Sequence, residues 1–225
     1  MRYPLVLLAI VTALFAALAI APPDRMTWAL ENSFLVAGIA FLFFTRRWLP
    51  LTNGAYSALF VFCVLHEIGA YYTYSNVPYE SWYEALTGHP FSELFAWKRN
   101  HFDRFVHFSF GLLLAYPMRA LFLRLVDARG VTSYFLPIQM VLSWSALYEL
   151  IEWGAAMMFG EGTDIAYVGA QGDTWDAQKD MALAGVGAVL SMLLASAYHR
   201  ARGCDKQREC VEALESCKWR LSSRG

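Results

Sequence analysis

The chain has 225 residues, 57% of them hydrophobic and 16% charged, with a mean hydropathy of +0.36 and a formal net charge of −1. Soluble domains carry about a quarter charged residues, so this sequence lacks the solvating side chains of one. No basic stripe with interleaved aromatics is present, which argues against nucleic-acid binding.

The apolar residues fall in long runs, and a hydrocarbon core about 30 Å thick needs roughly 20 of them in a helix. Six segments qualify: 4–21, 29–45, 51–70, 104–123, 133–158 and 181–199. Rings near several ends (Trp28, Trp48, Tyr71, Tyr72, Trp97, Tyr134, Tyr198) suit the headgroup region. The first segment has signal-peptide features, with Arg2 before an apolar core and Ala-Ile-Ala before Pro22. Pro22 is a poor cleavage context and the run is long, so a retained span is expected. The fold class is therefore an all-α membrane protein, a bundle of six transmembrane helices over 1–199 with a charged cytoplasmic tail at 200–225.

Basic residues set the orientation. Placing the N-terminus inside puts thirteen of the eighteen Lys and Arg in cytoplasmic segments and leaves Arg25, Lys98, Arg99, Arg104 and Lys179 outside. The positive-inside rule then predicts both termini in the cytoplasm of a bacterial inner membrane. Cys204, Cys210 and Cys217 of the tail form no CxxC pair and read as reduced cytosolic thiols, and Cys63 lies in an apolar run. Two outer loops are long, 71–103 and 159–180; the first is rich in aromatics, with a short interfacial helix expected at Tyr79–Leu86.

Ionisable side chains in spans are expensive and ask for a reason. They fall in four groups: His66-Glu67 at the outer end of span three, Asp103 and His107 opening span four, Glu149 and Glu152 in the outer half of span five, and Asp173, Asp176 and Asp180 leading into span six. Asp103 and His107 are four residues apart and Glu149 and Glu152 three, so each pair shares a helix face. If 173–180 is helical, its three aspartates do too. The topology puts all four groups at one outer level, and we expect them to line one outward-facing polar cavity. So many carboxylates in low dielectric must be neutralised by a divalent cation, by shared protons, or by Arg104 and Lys179.

The candidate ligand set is Asp103, His107, Glu149, Glu152, Asp173, Asp176, Asp180, His66 and Glu67, with Zn, Mn or Mg as the cation. Glu149, His107 and Asp176 are the candidate catalytic residues. Plainer roles exist: Asp103, Asp173 and Asp176 as helix caps, His66 as an interfacial histidine, Glu67 facing headgroups, Arg119 as an inner-end anchor, and Gly154, Gly185 and Gly187 as packing positions. Glu149 and Glu152 resist such explanations because they sit well inside a span.

The motifs HEIGAYYTYSNVP, NHFDRFVHFSFGLLLAYP, LYELIEW and GAQGDTWDAQKDMALAGVGA occur in that order. Together they resemble the YjdF-like inner-membrane proteins, a family defined mainly as a domain of unknown function. More distantly, Asp103-Arg104-x-x-His107-Phe108, Ser145-x-x-x-Glu149-x-x-Glu152 and Asp173-x-x-Asp176 resemble motifs of VanZ-like membrane proteins, with Glu152 in place of an amide and Ala184 in place of a polar residue. The VanZ-like resemblance implies a link to glycopeptide-antibiotic tolerance, and neither resemblance implies a settled reaction.

Three functions compete. The first is a metal-dependent hydrolase or transferase acting on a lipid or lipid-linked envelope substrate at the outer face, with a carboxylate or His107 as general base. The second is an ion-coupled transporter using the acids as cation or proton sites. The third is a non-catalytic membrane module. The acids gather near one face rather than the midplane, which favours the enzyme. Cysteine labelling at Gly88 and Gly162 should place both loops outside; cytoplasmic labelling of either would remove the common outer level.

Overall fold

Every regular element among the described residues is helical. The structure, a computed structural model, describes residues 2–49, 51–95, 99–159 and 171–213. The helices are α1 (Arg2–Leu18), α2 (Arg25–Thr45), α3 (Asn53–Tyr71), α4 (Tyr79–Thr87), α5 (Phe91–Phe95), α6 (Phe102–Leu125), α7 (Thr132–Phe159) and α8 (Asp176–Arg202). The chain is helical again at 206–213.

Local chemistry sets several ends. The Asp24 carboxylate accepts the N–H groups of Met26 (2.9 Å) and Thr27 (3.0 Å) at the start of α2, and the Thr52 hydroxyl accepts that of Ala55 at the start of α3. Gly88 and Gly203 close α4 and α8 in the left-handed conformation (φ 79° and 64°). The expected interfacial helix at Tyr79–Leu86 is α4.

Among the described residues, four helices, α2, α3, α6 and α8, are long and apolar enough to cross a membrane. The apolar α1 is shorter at 17 residues, and α7 runs for 28. Phe44, Leu150, Val186 and Leu193 point outward, each more than half exposed. Such a surface suits hydrocarbon rather than water.

Contacts between elements show which ends lie together. His107 of α6 approaches Glu149 of α7, Arg104 bonds Asp176 of α8, and the Tyr148 hydroxyl donates to Glu31 of α2. α2, α6 and α8 therefore begin at the end where α7 finishes. Asn100 donates to the Val77 carbonyl (2.8 Å), which brings the segment after α3 to the same level.

α6 and α8 pack backbone to backbone. A methyl group at Gly111 would overlap the carbonyl of Ala184, and one at Gly187 would overlap that of Phe108. Around this crossing Ala115, Ala184, Ala188, Met192 and Val141 form the buried core. Small residues permit such an approach in a membrane.

Several expectations need correction. Gly187 does pack as expected, and the Leu142 side chain covers Gly185, but a methyl group at Gly154 would meet nothing within 4 Å. Gly111, which the sequence did not single out, is the second contact glycine. Arg119 is not an anchor at the lipid surface. It is 1% exposed, donates to Ser133, and grips Asp205 with two nitrogens at 3.0 and 2.6 Å. α8 starts at Asp176, so Asp173 precedes the helix instead of sharing its face. Gly162, Trp97 and Cys217 lie outside the described residues.

Gly111→Ala and Gly187→Ala should each lose about 1–3 kcal/mol, the cost of overpacking a filled site. Gly154→Ala should stay within about 0.5 kcal/mol of wild type. Thermal unfolding in detergent, followed by circular dichroism, checks the contrast.

Candidate functional site

The first two turns of α6 carry Asp103 and His107 on one face, and the α6–α8 contact turns that face onto Asp180, one turn before Ala184. Asp103, His107 and Asp180 are all at least nine-tenths buried, and each offers a ligand atom within 4.8 Å of the other two. His107 Nε2 stands 3.6 Å from Asp103 Oδ1 and 3.4 Å from Glu149 Oε1. Glu149 Oε1 and Asp180 Oδ1 are buried with no hydrogen-bond partner. Unpaired buried carboxylate oxygens are costly unless a proton or cation compensates them.

Asp173 and Asp176 do something different. Arg99 grips Asp176 with two nitrogens (2.7 and 3.0 Å), and Arg104 bridges Asp176 (2.8 Å) and Asp173 (2.5 Å). Lys179 adds a 2.5 Å bond to Asp173, which also accepts the Trp175 N–H. These contacts, Lys179 foremost, hold the Asp173 carboxyl well below its ordinary 3.8. The two aspartates thus form an ion-paired rim above the buried triad. Neutralisation by Arg104 and Lys179, one of the three expected routes, operates here with Arg99 added. Capping explains little: Asp103 makes no cap bond at the start of α6, while Asp173 satisfies one backbone N–H.

The remaining predicted residues sit beside the triad. His66 is 6% exposed, and its Nδ1 shares a 2.7 Å hydrogen bond with the Tyr74 hydroxyl. Tyr74 reaches it because Thr73 and Tyr74 take positive φ (55° and 52°) and reverse the chain after α3. A methyl group at Gly69 would strike that ring, so glycine is needed there. Burial, then the Glu31, Asp103, Glu152 and Glu67 carboxylates, raise the Tyr74 hydroxyl well above its ordinary range, so it keeps its proton. Glu67 is fully buried rather than facing headgroups, with neither oxygen hydrogen-bonded. Glu152 is 8% exposed.

Four members were not anticipated: Glu31, Tyr74, Arg99 and Tyr148. Glu31 is 2% exposed and accepts the 2.6 Å bond from Tyr148. Its signal was present, since the apolar run around it extends back to Met26 and leaves a carboxylate inside a span. Tyr74 and Arg99 lie in a loop whose return path cannot be read locally.

Below these polar groups lies a groove of about 600 Å³ between α2, α3, α6 and α7. Phe34, Gly38 and Leu42 line it from α2, Phe62 and His66 from α3, Phe110, Met118 and Leu121 from α6, and Trp144, Ser145 and Tyr148 from α7. Above it, rings of the aromatic segment pack on one another: Tyr72 meets Trp82 (5.9 Å between ring centres), Tyr83 meets Phe91 (5.0 Å), and the Tyr79 hydroxyl accepts the His101 N–H.

Residues 3–201 match the family described as "Predicted membrane protein (DUF2238)". The chain belongs to this family. It is similar to the inner membrane protein YjdF of Escherichia coli (strain K12), at 34% identity over 177 residues, 78% of this chain and 80% of that protein. No solved structure matches it. Membership and the apolar helices together make it a multi-pass protein of the bacterial inner membrane.

The rim carries a pH prediction. A carboxyl held low in the folded state contributes stability in full above its unfolded value and loses it progressively below. The stability difference between wild type and Asp173→Asn should therefore stay constant from neutrality to about pH 4 and shrink only in more acidic solution. Melting curves at stepped pH measure it, and a difference already lost by pH 6 would contradict the ion-paired assignment.

Proposed function

We propose that this protein is a metal-dependent hydrolase or transferase that acts on a lipid or lipid-linked envelope substrate at the outer face of the inner membrane. The observation that carries the reading is the buried triad of Asp103, His107 and Asp180, with ligand atoms within 4.8 Å of one another, beside an unpartnered Glu149 oxygen at the head of an apolar groove. Six spans (α1, α2, α3, α6, α7 and α8) with both termini cytoplasmic would bring this end to the outer leaflet, in keeping with the bias of basic residues.

Two carboxylates and an imidazole suit Zn, Mn or Mg. Asp103, His107 and Asp180 would hold the cation, which supplies Lewis-acid polarisation of the scissile group. Glu149, 3.4 Å from His107, is placed to accept the proton of an attacking water or hydroxyl. As the new oxygen bond forms at the scissile centre, the bond to the leaving oxygen breaks and Glu149 returns the proton to it. Asp176 drops out of the catalytic set. Its carboxylate is engaged by Arg99 and Arg104, so it positions the rim instead of reacting.

Elemental analysis of protein purified in detergent should find one divalent cation per chain. Asp180→Asn and His107→Ala should bring it to background, while Glu149→Gln keeps most of it. Metal retained in both ligand variants would refute the site. Cation or proton flux through proteoliposomes, abolished by Asp180→Asn, would transfer the same residues to a carrier.

A further inference from the structure

The groove beneath the triad has the shape of an amphiphile. Its polar lining comes from one end only, where His66, Tyr74, Asp103, His107, Ser145 and Tyr148 converge. Deeper than that, the walls are apolar down to Leu49 and Leu51. On α6 the lining runs from Asp103 to Leu121, 18 residues, or about 27 Å at the helical rise. That is close to the whole hydrocarbon core of about 30 Å and roughly twice the depth of one leaflet.

The groove is also reachable from the side. α2 and α7 meet at the polar end, through the Tyr148–Glu31 bond and the Phe34–Tyr148 ring contact at 5.8 Å between centres. Below that latch, Gly38, Phe41, Trp144 and Leu147 line the groove while remaining exposed, so its long opening faces the bilayer. A hydrocarbon chain can enter there without crossing water.

The polar end holds groups without partners. Ser145 Oγ and His66 Nε2 belong to residues 2% and 6% exposed, line the groove, and form no hydrogen bond. Buried polar atoms of this kind are normally satisfied, and here the space they border is where a headgroup would lie. An oxygen-rich anionic head suits the hydroxyl, the imidazole and a carboxylate-held cation together.

Resting on the catalytic reading above, we infer that the substrate is a phosphate-headed lipid whose chain is longer than one leaflet, of the polyprenyl type. It lies along the groove with its head at Asp103, His107 and Asp180. An ordinary diacyl phospholipid could lay one chain along the groove, but its second chain would have no matching channel.

Gly38 gives a test with little risk to folding, because it lines the groove and a side chain there would meet nothing within 4 Å. Long-chain polyprenyl phosphate, farnesyl phosphate and dioleoyl phosphatidic acid would be titrated against the full chain in detergent and read by native mass spectrometry. The expected result is at least tenfold tighter binding of the long-chain polyprenyl phosphate than of either other lipid. Gly38→Phe should remove that preference with metal content and melting temperature unchanged. Equal binding of long and short chains, a preference for phosphatidic acid, or full preference retained in Gly38→Phe would each overturn the inference. Asp180→Asn separates the two claims: chain-length preference that survives there while metal is lost supports both, and metal retained refutes the catalytic site alone.

Discussion

The contact of α6 with α8 across Gly111 and Gly187 decides the rest of the candidate site. Asp103 and His107 on one helix face Asp180 on the other only because the two backbones touch one turn away. In lipid no hydrophobic force draws helices together, so close packing of small residues must do it. The same small residues bring the polar face of each helix inward.

The carboxylates divide by depth. At the rim, Asp173 and Asp176 meet Arg99, Arg104 and Lys179, an arrangement that needs partial solvation and shows itself as a carboxyl held low. One turn inward, among the described residues, no arginine or lysine bonds Asp103, Glu149 or Asp180. Ion pairs satisfy the first group; the second is left with unpartnered oxygens, which is the condition for binding a proton or a cation. Beside both, Tyr74 folds back onto His66.

At the far end another buried ion pair holds the bundle. Arg119 joins α6 to Ser133 at the start of α7 and to Asp205 beyond α8, and His199 bonds Tyr134 nearby. Gln207 and Val211, in the helical stretch that follows, are buried against the bundle. The beginning of the charged tail is therefore packed. Fixing α6 and α8 at both ends limits how far the triad can open.

Sequence alone determined the class and part of the cast. A charged fraction of 16% and long apolar runs leave only a helical membrane protein, since a backbone in hydrocarbon must bond to itself. Helical period placed His107 one turn from Asp103, and alternation of spans brought α6, α7 and α8 acids to one level. The sequence also yielded α4 and the packing role of Gly187. Tertiary structure decided which acids meet which. Asp176 met Arg99 from the segment just before α6, and Glu31 met Tyr148 where α2 and α7 touch at the polar end. Loop paths and helix crossings depend on which small residues touch across space, and a one-dimensional pattern carries the period of each helix but not its neighbour.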